Sequence, residues 1–178
     1  MKKNKFSKNW IIKQNRDIYV KKSKLEGYRS RAVYKLIEIN DKFKLIKNNT
    51  LVIDLGAAPG SWSQYISRNF NNSKIISIDL KEIEPIKNSI HIKGDFTEEH
   101  QKLKIQKYFE KKVDLIISDM AVNTTGNKSV DSLVTGELCL EAMNFACEFL
   151  NKKGSFVSKI FMGSTFNEIV ALVKNSFK

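Results

Sequence analysis

Five short apolar runs punctuate the chain, and between most of them the apolar positions recur at helical spacing. Residues 51–55 (LVIDL) form the first run, long enough for one buried strand. Gly56, Pro59 and Gly60 then mark a tight loop, and Trp62, Tyr65, Ile66 and Phe70 repeat at the spacing of a helix. Residues 74–79 (KIISID), 89–93, 113–119 (VDLIISD) and 155–161 (SFVSKIF) read as four more strands. The fourth run is nearly continuous in apolar residues, as a parallel strand buried on both faces requires. Helices are predicted over 16–25 and 29–43, the second with Val33, Leu36, Ile37 and Ile39 on its apolar face. A further helix is predicted after Thr97 as its cap, with Glu98 and Glu99 in its first turn. Another spans about 133–150, with Leu138, Ala142, Phe145 and Phe149 inward. The last opens on a capping box at 165–168 and turns Ile169, Leu172 and Val173 inward. Strand and helix alternate throughout, which predicts the α/β class: a doubly wound, Rossmann-like parallel sheet.

In such sheets ligands sit at the carboxyl ends of the strands. Small residues at Gly56, Ala57, Ala58 and Gly60 let a ligand approach the first strand-to-helix loop closely. The loop lacks both the G-x-G-x-x-G spacing and a G-K-[ST] triplet, so neither a dinucleotide fingerprint nor a P-loop is present. Acids recur at or near four successive strand ends: Asp54, Asp79, Asp95 and Asp119. Any one of them has an ordinary reading as a turn residue, and the recurrence is what singles them out. Asp79, at the end of the second strand, is placed to bind ribose hydroxyls of a nucleoside. Asp95 and Phe96 suit an adenine ring, or else a turn acid and a core aromatic. Lys159 stands in an otherwise apolar run, an expensive place for a charge unless it is paired or functional. Lys35, on the border of its helix's apolar face, has a solvated lysine as its plain reading.

Charge changes the picture. Of a net charge of +12, residues 1–48 hold +11, from 12 Lys and 3 Arg against 2 Asp and 2 Glu. A general lysine bias would spread along the chain; a concentrated basic arm points to a phosphate-backbone partner. Trp10, Tyr19, Tyr28 and Tyr34 interleave with these charges and suit either base stacking or packing on the domain. The 178 residues suit one domain. No apolar run approaches the roughly 18 residues of a membrane span, and no signal-peptide core follows the basic N-terminus. Cys139 and Cys147 are expected to be reduced core thiols of an intracellular protein. His91 and His100 make no metal-ligand pattern and are expected at the surface; no metal is expected.

Residues 54–62 (DLGAAPGSW), Asp79, G-D-F at 94–96, S-D-M-A at 118–121, F-V-S-K-I-F at 156–161 and R-S-R-A-V-Y-K-L at 29–36 together resemble the FtsJ/RrmJ ribose 2′-O-methyltransferases, over roughly residues 10–178. The likeness is greatest to the bacterial branch acting on large-subunit ribosomal RNA. The resemblance implies S-adenosylmethionine (SAM) bound at Gly60, Trp62, Asp79, Asp95 and Asp119. It also implies chemistry by a Lys-Asp-Lys-Glu tetrad, of which Lys35, Asp119 and Lys159 match the first three. The substrate it implies is a uridine ribose of the large-subunit (23S) RNA, free or in the subunit, methylated by a cytoplasmic, monomeric enzyme. On this reading residues 1–48 form a basic RNA-contacting arm packed on a methyltransferase domain of residues 49–178. Two departures stand out: Val122 replaces the family's proline after D-M-A, and the two further strands that carry the family's glutamate are missing after the last helix. The expectation is therefore a C-terminally incomplete, five-stranded fragment with its fifth strand on an open edge. A SAM-dependent enzyme on a non-RNA substrate and a non-catalytic RNA-binding relative stay open as alternatives.

Overall fold

The computed structural model describes residues 17–121, 125–163 and 165–177. Two helices, α1 (Ile18–Leu25) and α2 (Val33–Phe43), precede β1 (Leu51–Leu55), α3 (Ser61–Asn69), β2 (Lys74–Asp79), β3 (Ser89–Lys93), α4 (Glu99–Phe109), β4 (Val113–Ser118), α5 (Lys128–Phe149), β5 (Leu150–Ser158) and α6 (Phe166–Ser176). The strands form one sheet in the order β3-β2-β1-β4-β5, and every neighbouring pair is parallel. The direction of winding reverses between β1 and β4, which opens a crevice above their carboxyl ends. The strict alternation fails once. Residues 80–88 connect β2 to β3 without a helix, because the segment is short and carries Pro85.

Side chains alternate across the strands, so β1 is buried on both faces. Ile53 and Leu55 face a core completed by Ile76, Ile116 and by Ile105, Phe109, Phe145 and Phe149 of α4 and α5. Val52 faces a second core with Ile75, Leu115, Ile117, and with Val33, Leu36, Trp62, Tyr65 and Ile66 of α2 and α3. The basic N-terminal segment thus contributes α2 to one covering layer of the sheet. Of its aromatics, Tyr34 is buried with its hydroxyl donating to Glu26, and burial with that carboxylate pushes the phenol up to about 12. Tyr28 lies under the Arg68 guanidinium, 5.0 Å from ring centroid to Cζ. Tyr19 remains partly exposed against Tyr34, and Trp10 lies outside the described residues.

Several local expectations are corrected. Residues 29–32 are not helical; their polar groups are drawn to α3 and its loop. Thr97 caps no helix, because its N–H and hydroxyl both donate to Asp95, and Glu98 takes the N-cap position. Thr165 precedes α6 in an αR conformation and makes no side-chain cap. β5 begins at Leu150 and ends at Ser158, so Lys159 stands just past the strand. Among the described residues β5 pairs only with β4, leaving its other side as an edge. Cys139 is buried, and burial raises its thiol above the ordinary value; Cys147, on the outer side of α5, is exposed. His91 is half-buried, its Nδ1 3.0 Å from the Ser77 carbonyl.

Candidate active site

Three elements bring Lys35, Asp119 and Lys159 together. Asp119 follows the last residue of β4, and Lys159 the last residue of β5. Ser118 and Ser158 are register partners, and the Lys159 N–H donates to the Ser118 carbonyl at 2.9 Å, carrying the ladder one step past both strands. Aspartate and lysine therefore emerge side by side. Lys159 Nζ lies 3.1 Å from Asp119 Oδ1 and donates to the Asp119 carbonyl at 3.0 Å. Lys35 arrives from α2 and reaches both carboxylate oxygens, at 3.0 and 2.9 Å. Its side chain is 55% exposed, against 22% for Lys159 and 18% for Asp119. The carboxylate is thus bracketed by a solvent-facing lysine and a shielded one.

Asp119 also lines a cleft of about 480 Å³ above the strand ends. Gly56, Ala58, Asp79, Asp95, Phe96 and Met120 line it too, with Leu138 and Glu141 of α5 as a wall. The volume suits a small-molecule ligand. Gly56, at φ +68°, is needed twice over: its backbone is left-handed, and a Cβ there would stand 2.1 Å from the Met120 side chain. Asp79 Oδ2 accepts the Ala58 N–H at 2.9 Å and Oδ1 the Lys81 N–H at 2.8 Å. Asp95 Oδ1 accepts both Thr97 donors, at 2.9 and 2.7 Å. Each carboxylate is oriented by the backbone beside it and keeps lone pairs for a ligand's hydroxyl or amine donors. Phe96 is among the lining residues, its ring packed edge-on to Phe145 in the core.

The other predicted positions lie elsewhere. Gly60, at φ +95°, starts α3 and faces the β2–β3 loop, where a Cβ would meet Ile83, Ile86 and Arg29 at 2.9–3.0 Å. The Trp62 side chain does not line the cleft: it is buried in the α2–α3 core, its Nε1 donating to the Ala32 carbonyl at 2.7 Å. Asp54, the first acid of the strand-end series, is buried under the loop. It accepts the Ser63 hydroxyl at 2.7 Å and the Ser63 N–H at 3.2 Å. Ser63 continues to Ser77 and Ser77 to Ser89, at 2.7 and 2.9 Å. Burial pushes the Asp54 carboxyl up to about 7; the Ser63 bonds oppose this, and the negative charges of Asp119 and Asp79 add to it. No cluster of three or more metal-ligating side chains occurs among the described residues, and no described helix is long and apolar enough to cross a membrane.

Two features were not read from the sequence. Asp131, in the first turn of α5, accepts the Thr125 N–H and hydroxyl and the Gly126 N–H, fixing the end of the loop that leaves Asp119. Its only sequence signal was an acid in the first turn of a helix expected to begin later. Arg29 donates to three backbone carbonyls of the β1–α3 and β2–β3 connections, a role that spacing does not encode.

With this geometry in place, comparison with known proteins is direct. The FtsJ-like methyltransferase family model matches residues 28–178. The Ribosomal RNA large subunit methyltransferase E of Pelagibacter ubique is 62% identical over 100% of this chain and 88% of its own length. The enzyme of the same name from Rickettsia akari is 48% identical over 97% of this chain and 78% of its own. A Plasmodium falciparum structure assigned as a ribosomal RNA methyltransferase is 37% identical, superposing with a TM-score of 0.77 over 83% of this chain and 86% of that one. A family match across most of the chain, identities of this size and a Rossmann-like sheet with acids lining its crevice lead to one assignment: the chain belongs to the FtsJ-like methyltransferases.

Proposed function

We propose that this protein methylates the 2′-oxygen of a ribose, a uridine of the large-subunit ribosomal RNA, using SAM. The observation that carries the reading is the Lys35–Asp119–Lys159 contact at the mouth of a cleft walled by Asp79 and Asp95. Asp79 and Asp95 would take the nucleoside hydroxyls and amine of SAM, and the small-residue loop at Gly56 and Ala58 would let its backbone approach. When bound, SAM supplies an electrophilic methyl group on a sulfonium.

A ribose hydroxyl is a weak acid and needs a proton acceptor as its oxygen attacks. Lys159 is the proton acceptor in this reading, and the Asp119 carboxylate 3.1 Å from its Nζ, with the Asp119 carbonyl, holds it in place and stabilises the ammonium that results. Help of this kind contributes about 10²–10⁴-fold. Lys35, half in solvent, aims Asp119 through both carboxylate oxygens and offers a positive edge to the phosphates flanking the target ribose. The basic excess over residues 1–48 draws the RNA backbone toward that edge. The names of the relatives support ribosomal RNA as substrate; a lysine beside a carboxylate supports a hydroxyl rather than an aromatic carbon as the methyl acceptor.

The test is transfer of labelled methyl from SAM to large ribosomal subunits that lack the modification, followed by digestion to nucleosides. The expected product is 2′-O-methyluridine. Label on a base, or on protein, would contradict the assignment.

A further inference from the structure

Arg29 precedes the helix that carries Lys35 and does not line the cleft, yet three of its guanidinium donors are taken by backbone carbonyls. Nη1 donates to the Pro59 carbonyl at 3.1 Å and to the Glu84 carbonyl at 2.8 Å; Nη2 donates to the Pro85 carbonyl at 2.9 Å. Pro59 belongs to the loop between β1 and α3, Glu84 and Pro85 to the helix-free connection between β2 and β3. The side chain therefore bridges two loops that the sheet alone does not join. Around it the same stitching repeats. The Arg29 N–H donates to Gln64 Oε1 at 3.1 Å, Ser30 and Ser61 share a hydroxyl contact at 2.8 Å, and Trp62 reaches back to Ala32. Gly60 fits beneath the guanidinium with no room for a Cβ.

The bridged loops end where the cleft begins. The Ala58 N–H, one residue before Pro59, is the group that orients Asp79, and Asp79 starts the β2–β3 connection through its bond to the Lys81 N–H. An Arg is suited to this because its planar fork aims several donors at fixed angles; a lysine ammonium is a single point with a different reach.

We infer that Arg29 is a positioning residue for the cofactor end of the cleft: it locks the β1–α3 loop to the β2–β3 connection and so fixes the Asp79 carboxylate in its ligand-binding orientation. The inference rests on the proposed binding of SAM in that cleft. It makes Arg29 a cofactor-affinity residue even though it is part of the basic N-terminal segment, where a phosphate contact would be the simpler guess.

The experiment compares wild type, Arg29→Ala and Arg29→Lys, each measured for SAM binding by calorimetry, for RNA binding, and for KM and kcat. Arg29→Ala should raise the Kd and KM for SAM about ten-fold with kcat at saturating SAM within about two-fold, the signature of lost ground-state binding. RNA affinity should change little. Arg29→Lys should fall between wild type and Arg29→Ala for SAM, and it decides the question should the alanine variant fail to fold. An RNA affinity that drops while SAM affinity holds would overturn the inference in favour of a phosphate contact, as would a lower kcat at unchanged KM. Wild-type protein that binds SAM with both variants unaltered would overturn this inference alone. Wild-type protein that binds no SAM would overturn the proposed function and this inference with it.

Discussion

At one end of the cleft, Asp79 and Asp95 are aimed by backbone: Asp79 by the N–H groups of Ala58 and Lys81, Asp95 by Thr97 two residues on. At the other end, Asp119 is held by two long side chains from positions 84 and 40 residues away in sequence. The first end is made of short groups on strand termini and loops whose shape the sheet fixes. The second depends on two lysines, each with several rotatable bonds, converging from a helix and from just past the end of β5. Ordering such side chains costs entropy, and charge attraction at 2.9–3.1 Å offsets it. The contrast suggests a division of labour, with ligand affinity residing at the rigid end and proton transfer at the charged end. Substitutions at the two ends should then separate binding from turnover.

The largest effect is expected from Asp119→Asn, which removes the counter-charge of both lysines at once. Single-turnover methyl transfer should fall by about 10²–10⁴-fold, the usual worth of positioned acid–base help. Lys35→Ala combined with Lys159→Ala should be little worse than the more damaging single change, since residues acting as a unit are not additive. Effects that multiplied would mean that the lysines work independently.

At the other end, Asp79→Ala should weaken SAM binding by about 10–100-fold, the range for losing hydrogen bonds to a charged group. Its kcat at saturating SAM should stay near wild type. Unchanged affinity by calorimetry would place the nucleoside contact elsewhere.

The sheet was legible in the sequence: short apolar runs with helical spacing between them predicted the parallel order of strands. Of the acids at four successive strand ends, Asp79, Asp95 and Asp119 line one cleft. What escaped did so for identifiable reasons. Asp54 shares the spacing of the other acids, but it points beneath the loop toward Ser63 and not into the cleft, and spacing along a strand does not say which way the last side chain turns. Trp62 opens α3 beside the loop, yet the helical face that it occupies is the one packed on α2. Lys159 looked like a charge inside a strand; it stands one residue past the end and is paired with Asp119, which offsets the cost of its charge. Cys147 was expected in the core because it follows Cys139 at a spacing near two helical turns, but the drift of 3.6 residues per turn carries it to the solvent side. Arg29 and Asp131 act on backbone groups of distant or irregular segments, partners that a residue pattern does not identify.

Beneath both ends lies Asp54, and it offers a smaller test through stability. Its carboxyl is pushed by burial up to about 7 in the folded protein, from an ordinary value of 3.8. Between these values the unfolded chain has lost a proton that the folded one retains. Asp54 therefore lowers stability as pH rises from about 4 to about 7, and adds no further slope above that. Asp54→Asn keeps an acceptor for Ser63 and removes the titration, so its melting temperature should decline less across that window than that of wild type. Parallel curves would show that Asp54 is ionised in the fold.

The smallest effect is expected away from the cleft. Lys21 and Lys24 are exposed on α1. Replacing either with Gln should reduce the slope of log affinity against log salt for RNA by about one, with SAM affinity unaffected. An unaltered slope would show that α1 does not touch phosphate.

The most direct test of the division between the two ends is Lys159→Ala, followed by single-turnover transfer, SAM calorimetry and a thermal melt on one preparation. The account predicts transfer reduced by about 10²–10⁴-fold, SAM affinity within a few fold of wild type and a folded protein. A variant that melts far earlier, yet transfers methyl at the normal rate wherever it remains folded, would contradict it: Lys159 would then serve only to neutralise Asp119.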